Sequence, residues 1–184
     1  MQQLPATVWT VGHSTLALEA FLTLLEAHGI EAIADVRRFP GSRRHPHFSR
    51  EALEPSLREA GLDYQWLPQL GGRRTPQPDS PNTGWRNASF RGYADHLDSI
   101  EFADGLARLL ALAATRRTAM MCSESLWWRC HRGLVSDVLK LRGIQVLHVG
   151  GRPPPREHPW TPPARIVGGK LAYPEADPQP RLFA

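Results

Sequence analysis

The 184-residue chain is short of lysine, of cysteine and of long apolar runs, and each shortage excludes something. No apolar stretch approaches the roughly 20 residues that cross a bilayer, so no membrane partner is expected. Residues 1–15 show no charged segment followed by an apolar block, so no secretion signal is read there. Cysteine occurs only at Cys122 and Cys130, too few for a disulfide scaffold, and a reducing cytoplasm is the expected location. No internal repeat is visible, and the absence of G-x-G-x-x-G and Walker patterns sets aside the common nucleotide-binding loops. Of 22 basic residues only Lys140 and Lys170 are lysine; the other 20 are arginine. An arginine excess has two readings. One is genome composition, since alanine and proline are abundant too. The other is anion binding, because guanidinium grips phosphate and carboxylate with two parallel donors.

What is present alternates between strand and helix patterns. TVWTVG at 7–12 reads as a strand, and Thr15 as the cap of a helix that places Leu18, Phe21, Leu22 and Leu25 on one face. A strand over 30–36, a helix over about 50–60 and a strand over 62–67 follow. Residues 68–90 read as a long loop. Asp98 and Glu101 suggest a capping box for a helix over about 99–115. Strands over 117–122 and 144–149 bracket a helix over 129–142. The pattern predicts one α/β core domain over 1–152: an open, mostly parallel sheet with helices on both faces. Residues 153–184 hold nine of the 17 prolines and form a Pro-rich C-terminal extension. It is expected either to pack on the core, with 164–167 pairing at a sheet edge, or to trail from it.

Ligands of open parallel sheets bind at the carboxyl ends of the strands, so residues just after strands are the candidates. After the first strand come His13 and Ser14, and at the end of the second come Asp35 and Arg37. After the fourth come Cys122 and Glu124, then Cys130, His131 and Arg132 where a helix begins. His13, Asp35, Glu124 and His131 are the candidate acid/base groups, and Cys122 near a helix start and basic residues is a candidate thiolate. Cys122, Cys130 and His131, with His13, could also ligate a metal. The C-x7-C-H spacing matches no standard zinc pattern, so no cofactor is expected. Two loops carry the clearest electrostatic signal. Residues 37–50 hold five arginines, including Arg43 and Arg44, with Phe39 and Phe48 and no acid. The second loop adds Arg73, Arg74, Trp85, Arg86, Phe90 and Arg91. Arg37, Arg43, Arg44, Arg73, Arg74, Arg132 and Ser14 are therefore the expected anion contacts. The leading expectation is an enzyme that hydrolyses or transfers a group on a nucleotide or nucleic acid. A non-catalytic nucleic-acid or nucleotide binder, or a Cys/His metal or redox protein, are the alternatives.

Five blocks carry a family resemblance. GHST at 12–15, DVRRFPGSRRHPHF at 35–48, YQWLPQLGG at 64–72, GYADHL at 92–97 and MCSESLWWRCHRGLVSDVLKLRG at 121–143 resemble the signature blocks of the domain of unknown function 488 family. The likeness runs from about residue 8 to residue 149. It implies a compact bacterial or archaeal α/β domain and no assigned reaction. Members often carry proline where Leu126 or Trp127 stands here.

Overall fold

The computed structural model describes residues 4–41, 43–150 and 154–175. A six-stranded sheet is built from β1 (Thr7–Gly12), β2 (Ala32–Asp35), β3 (Asp63–Trp66), β4 (Thr118–Cys122), β5 (Gln145–Val149) and β6 (Arg156–Glu157). Its order is β3-β2-β4-β1-β5-β6, parallel except for the antiparallel β6. Alternation along each strand sends side chains to two cores. Val8, Ala34, Met120 and Val146 face one, and Trp9, Ile33, Ala119 and Met121 the other. Helices α1 (Leu18–Ala27) and α2 (Arg50–Glu59) cover the second core with Phe21, Leu25, Leu53 and Leu57. Helices α3 (Ala88–His96), α4 (Ile100–Ala113) and α5 (Arg132–Leu141) cover the first. The fold is thus the expected open α/β sheet with helices on both faces. No helix among the described residues is long and apolar enough to cross a membrane.

Three local readings differ from the sequence expectation. Helix α3 begins within the segment read as loop and runs on through residues 91–96, to which the sequence pattern assigned no element; Asn87 caps it by accepting from the amides of Ser89 and Phe90. Helix α5 starts at Arg132 rather than 129, because Trp127–Arg129 close a 3-10 turn and Cys130 is extended. Helix α1 begins at Leu18 and has no side-chain cap, so Thr15 does not cap it.

Residues 154–175 of the C-terminal extension lie against the core. The edge position belongs to β6, not to 164–167. Residues 165–167 instead form β7 (Arg165–Val167), which pairs with β8 (Lys170–Ala172) across the positive-φ turn Gly168-Gly169. The anchor of the extension is Asp137 on α5, fully buried. It accepts from His158 Nε2 at 2.9 Å, the Thr161 amide at 3.0 Å, the Thr161 hydroxyl and Tyr173 OH at 3.1 Å. Deleting this carboxylate leaves four buried donors from the extension, on three residues, unpaired. Asp137→Ala is therefore expected to lower stability by about 3 kcal/mol, read as a drop in the urea midpoint.

Candidate functional site

The carboxyl ends of β1, β4 and β2 open into a cleft of about 280 Å³. His13, Ser14, Arg37, Cys122 and His131 line it, with Arg38 and Arg73 at its walls. Gly12 makes the geometry possible. A Cβ there would stand 2.0 Å from the carbonyl oxygen of Glu124, so only glycine lets the turn after β4 cross the end of β1. Pairing continues beyond the strands: the His13 amide donates to Cys122 O at 3.0 Å and the Ser14 amide to Ser123 O at 2.9 Å. Ser14 is held at φ 48° and Arg73 at φ 60°. These are the two positive-φ non-glycine residues among those described, and both line the cleft. Strained backbone of this kind persists where its surroundings over-determine it, and it clusters at working sites.

Arg37 is placed by Asp35. Its Nε donates to Oδ1 at 2.8 Å and its NH2 to Oδ2 at 2.6 Å, and its own amide donates to Oδ1 at 3.1 Å. Tyr64 OH donates to Oδ2 at 2.6 Å. Burial opposes the charge on Arg37, but Asp35 outweighs it and raises the guanidinium further above its ordinary value. Burial and the Asp35 charge likewise keep the Tyr64 phenol protonated. All of Asp35 is spent on this task, so it positions Arg37 and does not line the cleft.

His13 has a fixed tautomer. Arg37 NH1 stands 3.3 Å from Nε2 and can only donate, so Nε2 is the bare nitrogen. Nδ1–H then donates to Ser14 O at 3.0 Å. The ring stacks on Phe48, centroids 4.1 Å apart. Burial, with Arg37 alongside, lowers its pKa to about 4. With both nitrogens engaged, His13 is a neutral wall of the site.

The floor is a thiol pair with an imidazole. Arg132 is 1% exposed and makes no ion pair with a carboxylate among the described residues. Its Nε donates to Cys130 Sγ at 3.3 Å, NH1 to Thr10 Oγ1 at 3.4 Å and NH2 to the carbonyl of Glu124. A buried cation needs a counter-charge, and Cys130 supplies it. Burial resists the Cys130 thiolate, but the Cys122 thiol and Arg132 overcome it and bring the pKa to about 6. Cys122, whose thiol is hydrogen-bonded to that sulfur and buried, is pushed up. His131 Nε2–H donates to Val36 O at 2.9 Å, which leaves Nδ1 bare and facing Cys130 Sγ at 3.7 Å. Burial keeps this ring neutral too.

The other predicted residues fall elsewhere. The Glu124 carboxylate accepts from the Leu126 amide at 3.1 Å and does not line the cleft; it caps its own turn. Arg74 is spent on Glu101, at 2.8 Å, and on the carbonyls of Gln69 and Gly71. Arg43 and Arg44 are exposed and are not among the lining residues, although they stand between Gly41 and His45, which are. Trp85 and Phe90 stack on each other at 4.8 Å against the core, and Phe48 is buried under His13. Phe39 at the rim is 65% exposed. Arg38 and Ser123, which follow strand ends in the sequence without being among the expected contacts, also line the cleft, as do His45 and Gly72, which carried no signal of their own.

On the far side of Arg132 runs a buried relay. Arg132 donates to Thr10, and the Thr10 hydroxyl shares a hydrogen bond of 2.7 Å with His148 Nδ1. His148 Nε2 shares one of 2.9 Å with His158 Nδ1, and His158 Nε2–H donates to Asp137. Burial, His158 and Arg132 hold His148 neutral, with its pKa lowered to about 2.

A family profile described as "Domain of unknown function DUF488" matches residues 17–139. No curated protein and no solved structure matches the chain.

The neutral His13 makes a pH prediction. Its folded pKa, about 4, lies below the 6.5 of the unfolded chain, so between these values the unfolded state binds more protons. The stabilisation is fully present above pH 6.5 and is lost as pH falls toward 4, on the order of 3 kcal/mol in all. Urea midpoints measured from pH 7 to pH 4 should fall, and His13→Gln should flatten part of that fall. His148, lowered in the same direction, supplies another part.

Proposed function

Since the chain belongs to the DUF488 family, whose description assigns no reaction, we propose from the cleft itself that the protein is an enzyme acting on a phosphate-bearing small molecule such as a nucleotide. It catalyses hydrolysis or group transfer at the floor formed by Cys122 and His131. The observation that carries this reading is the composition of the lining. Arg37, Arg38 and Arg73 surround the space, Ser14 and Ser123 add hydroxyls, and no carboxylate is among the described lining residues. A wall of donors with no competing acceptor suits a compact anion. Asp35 fixes one guanidinium in advance, so little side-chain entropy is lost when the anion arrives. Phe39 at the rim offers a face on which a base could stack. Binding a nucleic-acid strand is supported less well, because that mode uses rows of free aromatic faces. Of the loop aromatics, Trp85, Phe90 and Phe48 are packed inward. Two facing thiols that stay reduced fit a cytoplasmic setting.

The test is calorimetric titration with inorganic phosphate and with a nucleoside monophosphate. Arg73→Ala, which removes one charged donor, should weaken binding at least about tenfold. Arg142→Ala, at the opposite end of α5 from the cleft floor, should change it by less than about twofold, since an exposed charge far from a ligand is largely screened. Equal effects of the two substitutions, or no binding by the parent chain, would remove the proposal.

A further inference from the structure

We infer that Cys122, Cys130 and His131 form a binding site for a divalent transition-metal ion of the zinc class, with its fourth position open to the cleft. The two sulfurs and one imidazole nitrogen lie within 4.8 Å of one another. Tetrahedral zinc, with bonds of about 2.3 Å to sulfur and about 2.0 Å to nitrogen, sets a sulfur–nitrogen edge of roughly 3.6 Å. Cys130 Sγ and His131 Nδ1 are 3.7 Å apart.

The surroundings match what a metal site requires of its neighbours. His131 donates Nε2–H to the carbonyl of Val36, which fixes the tautomer and turns the Nδ1 lone pair toward the sulfurs. Arg132 donates Nε–H to Cys130 Sγ, the kind of hydrogen bond that steadies a metal-bound thiolate. Gly72 keeps the imidazole face clear: a Cβ there would stand 2.8 Å from Nδ1. Thiolate and imidazole together favour zinc or a similar soft-to-borderline ion over calcium or magnesium.

The three residues were possible ligands in the sequence, but their spacing matched no zinc pattern because they stand at opposite ends of the β4–α5 connection. Cys122 closes β4, and Cys130 and His131 immediately precede α5. His13 is not the fourth ligand, since both of its nitrogens are engaged by Arg37 and Ser14. Cys122 and His131 line the cleft while Cys130 lies behind them, so the vacant coordination position faces the arginine walls. Three protein ligands with one open position is the pattern of catalytic rather than structural zinc. The site stands without the phosphate reading; only the placement of a phosphate oxygen in the open position rests on it.

The full chain, stripped with a chelator, is titrated with Co²⁺ and then Zn²⁺. One equivalent of Co²⁺ should bind, with a thiolate-to-cobalt charge-transfer band and the intense visible bands of a tetrahedral ion, and Zn²⁺ should displace it. Zn²⁺ should also protect both thiols of the unaltered chain from alkylation, a readout that needs no variant. Cys130→Ser and His131→Gln should each weaken binding at least about a hundredfold, and Arg142→Ala, at the far end of α5, should leave it unchanged. No charge-transfer band, together with thiols equally reactive with and without Zn²⁺, overturns the site. Inorganic phosphate added to the cobalt form should shift the visible bands. A cobalt form that ignores phosphate, beside a chain that binds phosphate in the calorimeter, leaves the metal site standing and overturns the placement of a phosphate oxygen in its open position.

Discussion

Arg132 lies 1% exposed under the sheet edge, cannot lose its proton, and meets no carboxylate among the described residues. Much of the surrounding arrangement answers that one buried charge. Cys130 becomes thiolate beside it, the Glu124 carbonyl turns down onto it, and Thr10 accepts from its remaining arm. The turn carrying Glu124 can descend that far only because Gly12 presents no side chain to it. The helix that begins at Arg132 also sets His131 at the cleft floor. A neutral residue of similar volume would need none of these partners, and the thiol pair would lose the reason for its charge.

The second guanidinium of the site is handled in the opposite way. Arg37 has its carboxylate within the same strand end, and Asp35 takes two of its donors in parallel. Its NH1 is shared between Phe48 O and the bare nitrogen of His13. One arginine is thus neutralised by oxygen and the other by sulfur, and the cleft lies between them. This division leaves the imidazoles neutral: His13 by burial and its arginine neighbour, His131 by burial.

The sheet was legible because parallel strands buried on both faces read as short apolar runs, and those runs fell at the right places. The positions that carry the cleft were legible for the same reason: His13, Arg37, Cys122 and His131 all follow strand ends or open a helix. Which polar group each one meets was not legible. Asp35 and Glu124 look like an acid/base pair in the sequence, yet one is consumed by Arg37 and Tyr64 and the other caps its own turn. The basic loops misled in the same manner, since Arg74 and the second-loop aromatics are used for packing and pairing. Charge density can be counted along a chain, but whether a charge is free depends on partners distant in sequence. The Cys–Cys–His cluster is the converse case, scattered in spacing and gathered by the fold. Helix α3 was missed because its asparagine and glycine resemble a loop until Asn87 is seen capping it.

The Asp137 knot has a bearing on the order in which the protein can be completed. His158, Thr161 and Tyr173, which satisfy that carboxylate, leave a ribosome after α5 itself. Until they arrive, α5 carries a bare acid on the face that must dock against the sheet, and such a helix docks poorly. Docking of α5 is thereby coupled to the arrival of residues 158–173, a segment that follows it in the chain.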